Sequence, residues 1–127
     1  MTTVLANGVF DVLHFGHLIH LEQARAMGNK LIVSVTLDSA VNKGPGRPVF
    51  DQRCRMSMVI AIKHVDEVVL VESAMQALSM VRPDIFVKGP DYTIDTIEPA
   101  HREFCERNGI AIRFTVGEKF SSSALFK

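Results

Sequence analysis

Leu31-Ile32-Val33-Ser34-Val35-Thr36-Leu37 is a nearly unbroken run of apolar and β-branched residues, preceded by Gly28 and followed by Asp38. Such a run suits a strand covered on both faces, as in a parallel sheet wrapped by helices. Upstream, Thr3–Ala6 reads as a first strand, closed by a turn at Asn7-Gly8. Between the two, Leu18, Leu21, Ala24 and Arg25 recur on one side of a helix expected to end at Gly28.

Downstream, Asn42-Lys43-Gly44-Pro45-Gly46-Arg47-Pro48 is a loop of turn formers. Asp51 then stands as the N-cap of a helix running to about Lys63, with Met56, Val59 and Ile60 at helical spacing. Val68–Val71, Ile85–Val87 and the alternating Ile110, Ile112, Phe114 and Val116 read as three more strands. Helices at Ala74–Val81 and Glu98–Arg107 separate them, and Ser121-Ser122-Ser123 resembles a capped helix start. Five strands alternating with helices predict an α/β fold. It is a doubly wound, Rossmann-like, five-stranded parallel sheet with helices on both faces. In such folds ligands bind at the carboxyl ends of the strands, where the strand order reverses.

The 127 residues fit one domain, 1–127, and the 47% apolar and 22% charged content is that of a globular chain. Fourteen basic side chains balance fourteen acidic ones, which excludes a generally basic nucleic-acid binder. The balance is uneven, however. Residues 39–63 carry Lys43, Arg47, Arg53, Arg55 and Lys63 against Asp51, a local net charge of +4 sized for one nucleotide. No signal-peptide pattern or long apolar span is read, so no membrane partner and a cytoplasmic setting are expected. Cys54 and Cys105 form no paired motif and read as buried or semi-buried free thiols.

The densest chemistry lies in Gly8-Val9-Phe10-Asp11-Val12-Leu13-His14-Phe15-Gly16-His17, between the first strand and the first helix. His14 and His17 share one face of a first helical turn, where unpaired N–H groups attract anions. Gly16 permits a close backbone approach. Spacing alone leaves three readings open: a phosphate site, two incidental histidines, or a metal pair without a nearby carboxylate.

GVFDVLHFGH resembles the GxFDxxHxGH signature of the cytidylyltransferase-like nucleotidyltransferases, which join an NTP to a phosphorylated alcohol or sugar and release pyrophosphate. The resemblance continues through Lys43, Arg47-Pro48-Val49, Asp51-Gln52-Arg53, Val87-Lys88-Gly89-Pro90-Asp91-Tyr92 and Ser121-Ser122-Ser123. The order GRPV, DQR, VKGPDY, FSSS is most similar to the nucleotidyltransferase module of ADP-heptose synthases, which transfers AMP from ATP to a heptose 1-phosphate. Glycerol-3-phosphate cytidylyltransferases carry an RTEGIST-like segment where this chain has VGEKFSS, and archaeal FAD synthases share much of the pattern. A nucleotide sensor without turnover is the alternative of another class.

The resemblance implies roles residue by residue. His14, His17, Lys43 and Arg53 would be catalytic, binding phosphates of the NTP. Gly8, Val9, Phe10, Asp11, Gly16, Lys88, Gly89, Asp91, Tyr92, Ser121, Ser122 and Ser123 would bind nucleotide. Val9 stands where many relatives have Thr, so backbone must serve there. For Asp11 and the serines the bland alternative is helix capping, and for Lys43 a solvated loop charge. Arg55 is expected to be solvated, and His20, His64 and His101 to be surface or satisfied histidines. Met56, Met58, Met75 and Met80 are read as core filling. Mg²⁺ is the implied cofactor, carried by the NTP phosphates with no protein metal site, and a homodimer is the implied assembly.

Overall fold

The computed structural model describes residues 1–117; Ser121, Ser122 and Ser123 lie outside the described residues. In chain order the elements are β1 (Thr3–Gly8), α1 (Phe15–Ala26), β2 (Lys30–Thr36), a 3-10 turn (Asp38–Ala40), α2 (Gln52–Ile60) and β3 (Glu67–Val71). They continue with α3 (Ala74–Val81), β4 (Ile85–Lys88), α4 (Pro99–Arg107) and β5 (Ala111–Phe114). The strands form one sheet in the order β3-β2-β1-β4-β5, with every pairing parallel. The expected α/β fold is thus observed.

Alternation along the central strands explains why helices cover both faces. In β1, Val4 and Ala6 join one core cluster with Leu21 and Ala24 of α1 and Val59 of α2. Leu5 points the other way, to Ala77 and Leu78 of α3, Phe86 of β4 and Cys105 of α4. β2 repeats the division, with Leu31, Val33 and Val35 on the first face and Ile32 on the second. The order reverses between β1 and β4, and the carboxyl ends of these two strands flank the expected binding crevice.

Several local expectations are met. Asp51 caps α2, its carboxylate accepting from Cys54 N–H at 2.8 Å. Others need correction. β1 runs through Gly8, so the turn begins at Val9, and α2 stops at Ile60 rather than near Lys63. β5 ends at Phe114, and Val116 is exposed. Met58 and Met80 are also exposed and fill no core, and Cys54 is an exposed free thiol.

Arg55 is the largest departure. It is 1% exposed rather than solvated. Its Nε donates to Phe50 O at 2.9 Å, Nη1 to Val9 O at 2.8 Å, and Nη2 to Asp38 Oδ1 at 2.7 Å. Three acceptors from three segments thus offset the cost of burying the charge. Replacing Arg55 by Met leaves those acceptors without a donor and is expected to cost about 3 kcal/mol. Urea unfolding checks this. Arg55→Lys is expected to recover little, because an ammonium cannot span the planar fan of acceptors.

Candidate active site

The loop from β1 to α1 takes an unusual path. Phe10 and Val12 have φ of 53° and 69°, a left-handed conformation that is costly for an aromatic and for a β-branched residue. Asp11, between them, holds the path in place. Its buried carboxylate accepts from Arg47 Nε at 2.6 Å, Val49 N–H at 2.7 Å and Phe50 N–H at 2.9 Å. Burial pushes the Asp11 pKa up, but hydrogen bonds from Phe50, Val49 and Arg47 outweigh it and hold the group at about 2. Asp11 is therefore no cap for α1. It ties the loop bearing the signature to the loop at 47–50.

The cap of α1 is made by the two signature histidines. Gly16 N–H donates to His14 Nδ1 at 3.0 Å, and His14 N–H donates to His17 Nδ1 at 3.2 Å. Together they form a capping box in which both acceptors are imidazoles. A ring that accepts at Nδ1 carries its proton, when neutral, on Nε2. Both neutral rings therefore offer an Nε2–H donor. Their centroids lie 3.9 Å apart, and Phe10 packs edge-on against His17 at 5.5 Å.

Two glycines make this packing possible. A Cβ on Gly8 would fall 2.8 Å from the Phe10 ring, and one on Gly16 would fall 2.8 Å from His14 Cε1. The close approach expected at Gly16 is thus made by the histidine that caps the helix.

A cleft of about 300 Å³ opens at this helix start. His14, Gly16, His17 and His20 form one wall, and Gly89–Asp91 with Thr115–Gly117 form the other. It lies where the strand order reverses, between the segments following β1, β4 and β5. Burial is the main cause that lowers the His17 pKa to about 4, aided by the charges of His14, His20 and Lys43. The influence of Lys43 brings that exposed loop residue into the field of the site.

Other expected site residues are placed differently. Arg53 lies with Gln52, Met56, Ser57 and Ile60 along a separate groove against β3. Lys88 and Tyr92 fall outside the cleft lining. The Lys88 ammonium sits 4.4 Å from the Tyr92 ring centre and 5.5 Å from that of Phe86. Arg47 and Arg55 pair with Asp11 and Asp38, so part of the basic segment is committed inside the protein. His64 and His101 have carboxylate partners, Glu22 and Glu98. His20, which matched no motif, lines the cleft, and only its helical spacing from His14 and His17 signalled this.

A doubly wound sheet, a helix start capped by two imidazoles and a cleft at the reversal point define an α/β domain of the type that binds ligands at the carboxyl ends of its strands. The cytidylyltransferase-like family profile matches residues 5–125, and the chain belongs to that family, as a nucleotidyltransferase domain. It is 46% identical over 98 residues to the bifunctional protein HldE of Pseudomonas fluorescens Pf-5, a match covering 74% of this chain and 20% of that protein. The HldE protein of Azotobacter vinelandii is 45% identical over 98 residues, covering 74% and 21%. The chain spans about a fifth of the length of these curated relatives.

Among solved structures, the lipopolysaccharide core biosynthesis protein from Thermoplasma volcanium superposes with a TM-score of 0.76 at 30% identity. That superposition covers 95% of this chain and 99% of the other. Pantothenate synthetase from Thermus thermophilus shares the fold, with a TM-score of 0.60 at 16% identity over 99% of this chain and 61% of that one. The resemblance read from the histidine signature is borne out in family and relatives. No helix among the described residues is long and apolar enough to cross a membrane.

The His17 shift has a testable sign. Its folded pKa lies below its ordinary value of 6.5, so between pH 6.5 and about 4 the unfolded chain binds a proton that the folded chain refuses. The contribution of His17 to stability is complete above pH 6.5 and declines as pH falls toward 4. In an NMR titration the His17 ring is expected to stay neutral from pH 8 to 6 and to titrate near pH 4. Titration near pH 6.5 would contradict the placement.

Proposed function

We propose that this chain transfers a nucleoside monophosphate from an NTP, with ATP as the expected donor, to a phosphorylated sugar such as heptose 1-phosphate, releasing pyrophosphate. One observation carries the reading. Two imidazoles, each with its Nδ1 occupied by a backbone N–H, present Nε2 as a donor at a helix N-terminus beside a nucleotide-sized cleft. The bifunctional relatives and the lipopolysaccharide core biosynthesis protein support a sugar-phosphate acceptor.

An acceptor phosphate oxygen attacks the α-phosphorus in line with the departing bridge oxygen. The new P–O bond forms as the old one breaks, and pyrophosphate leaves with the electron pair. A phosphate monoester is already anionic at neutral pH, so the chain need supply no base. Its task is to hold both partners and to stabilise the charge gathering on the phosphoryl oxygens. His14 and His17 do so as donors through Nε2, and their positions need no rearrangement because the helix cap fixes the rings. Lys43 adds a positive charge from the neighbouring loop.

Mg²⁺ would supply charge neutralisation on the NTP phosphates. Among the described residues lining the cleft, Asp91 is the one carboxylate, a hard oxygen donor that suits an ion held chiefly by the nucleotide's own phosphates.

Pyrophosphate release, measured over a grid of ATP, CTP and other NTPs against sugar phosphates, glycerol 3-phosphate and FMN, tests the reading. ATP with a sugar 1-phosphate is expected to give the highest turnover. His17→Ala is expected to fold normally and to lose at least ~10² in turnover, the scale of one transition-state donor. Near wild-type release by that variant, or no release with any pair, sinks the proposal. A cytoplasmic homodimer belongs to the same reading, and light scattering at twice the 14.1 kDa chain mass checks the assembly.

A further inference from the structure

The histidine stripe of α1 does not stop at the cap. His14, His17, His20 and Gln23 follow one another at intervals of three, neighbour to neighbour, in a row that winds about 60° around the helix at each step. His20 Nδ1 lies 2.7 Å from Thr115 Oγ1. Gln23 makes a reciprocal pair with Val116: its side-chain amide donates to Val116 O, and its Oε1 accepts from Val116 N–H at 2.7 Å. Thr115 N–H donates in turn to Lys88 O at 3.0 Å.

These bonds occur where the sheet gives out. β5 ends at Phe114, yet Thr115, Val116 and Gly117 form part of the cleft wall facing His14 and His17. A glutamine amide presents one donor and one acceptor, like the peptide edge of a strand, and pairs with Val116 as a neighbouring strand would. One rigid helix therefore carries the phosphate-facing imidazoles and also grips the opposite wall. The distance between the two walls is set by successive turns of α1.

The gripped wall has its own chemistry. Among the described residues of this wall, Gly89, Pro90, Val116 and Gly117 offer peptide groups and apolar surface, Thr115 a hydroxyl, and Asp91 the one charged side chain, which is negative. That lining suits the uncharged nucleoside, with Asp91 available to hydroxyl or amine donors, while the triphosphate belongs with the histidines.

We propose that His20 and Gln23 are positioning residues, which act through Thr115 and Val116 to hold the wall against which the nucleoside of the NTP rests. The proposal rests on the nucleotidyltransferase reading above. Burial, with the charge of Lys88, holds the His20 pKa below its ordinary value, so the ring is neutral where the wall is formed.

Gln23→Leu removes both bonds to Val116 at similar volume, and Thr115→Val removes the hydroxyl bound by His20. Each is expected to raise the ATP dissociation constant and KM about tenfold, the scale of one or two hydrogen bonds. In Gln23→Leu, turnover at saturating ATP should stay within about threefold of wild type, because neither the cleft lining nor the histidine donors are altered. Thr115→Ser, which keeps the hydroxyl, should restore binding. A folded Gln23→Leu with wild-type ATP affinity overturns the proposal, as does a loss confined to kcat.

Amide hydrogen exchange at Val116 provides a readout independent of catalysis. It should speed by about tenfold in Gln23→Leu, the scale of the lost hydrogen bond, and unchanged exchange overturns the clamp. Should wild-type protein neither bind ATP nor release pyrophosphate, the nucleotidyltransferase reading fails. The proposed nucleoside role falls with it, while accelerated Val116 exchange would still support the clamp as a structural contact.

Discussion

Two opposite charges grip the same residue. Phe50 gives its N–H to the carboxylate of Asp11 and its carbonyl to the guanidinium of Arg55. Asp11 comes from the loop after β1 and Arg55 from α2, and Arg55 also reaches Val9 O, one residue before the left-handed Phe10. Such a crossed arrangement leaves the β1–α1 loop little freedom. Without it, Phe10 and Val12 would relax from their strained φ values and the start of α1 would move with them. The imidazoles, the cleft and the α1 grip on the far wall all inherit their places from this junction.

The junction also changes the meaning of the charge pattern. Residues 39–63 hold four more positive than negative charges, which by itself suggests a surface ready for phosphate. Arg47 and Arg55 are instead committed to Asp11 and Asp38. Among the described residues of that segment, Lys43, on the neighbouring loop, is the one whose charge acts on His17.

The fold was legible because its signals are local. Strand runs, turn formers and the Asp51 cap each act within a few residues, and they placed the elements to within a few positions. The histidine signature was legible for the same reason, since strand, turn and helix start are contiguous. What escaped depends on distant partners. Arg55 reads as a polar helix residue until Val9 and Asp38 arrive from other segments to satisfy it. Arg53, two positions earlier on α2, lies along another groove. His20 meets Thr115 across 95 residues, which no spacing within α1 announces.

One consequence of the imidazole cap concerns the helix itself. A ring that receives a hydrogen bond at Nδ1 becomes a stronger donor at Nε2, because the two polarise each other through the aromatic system. His14 and His17 thus relay two amides of the helix start outward, through a ring, toward the cleft. The positive end of the α1 dipole is carried beyond the last peptide by the width of an imidazole. A bound phosphate oxygen would complete a chain running from backbone amide to ring to anion, and in doing so would draw the helix start tighter.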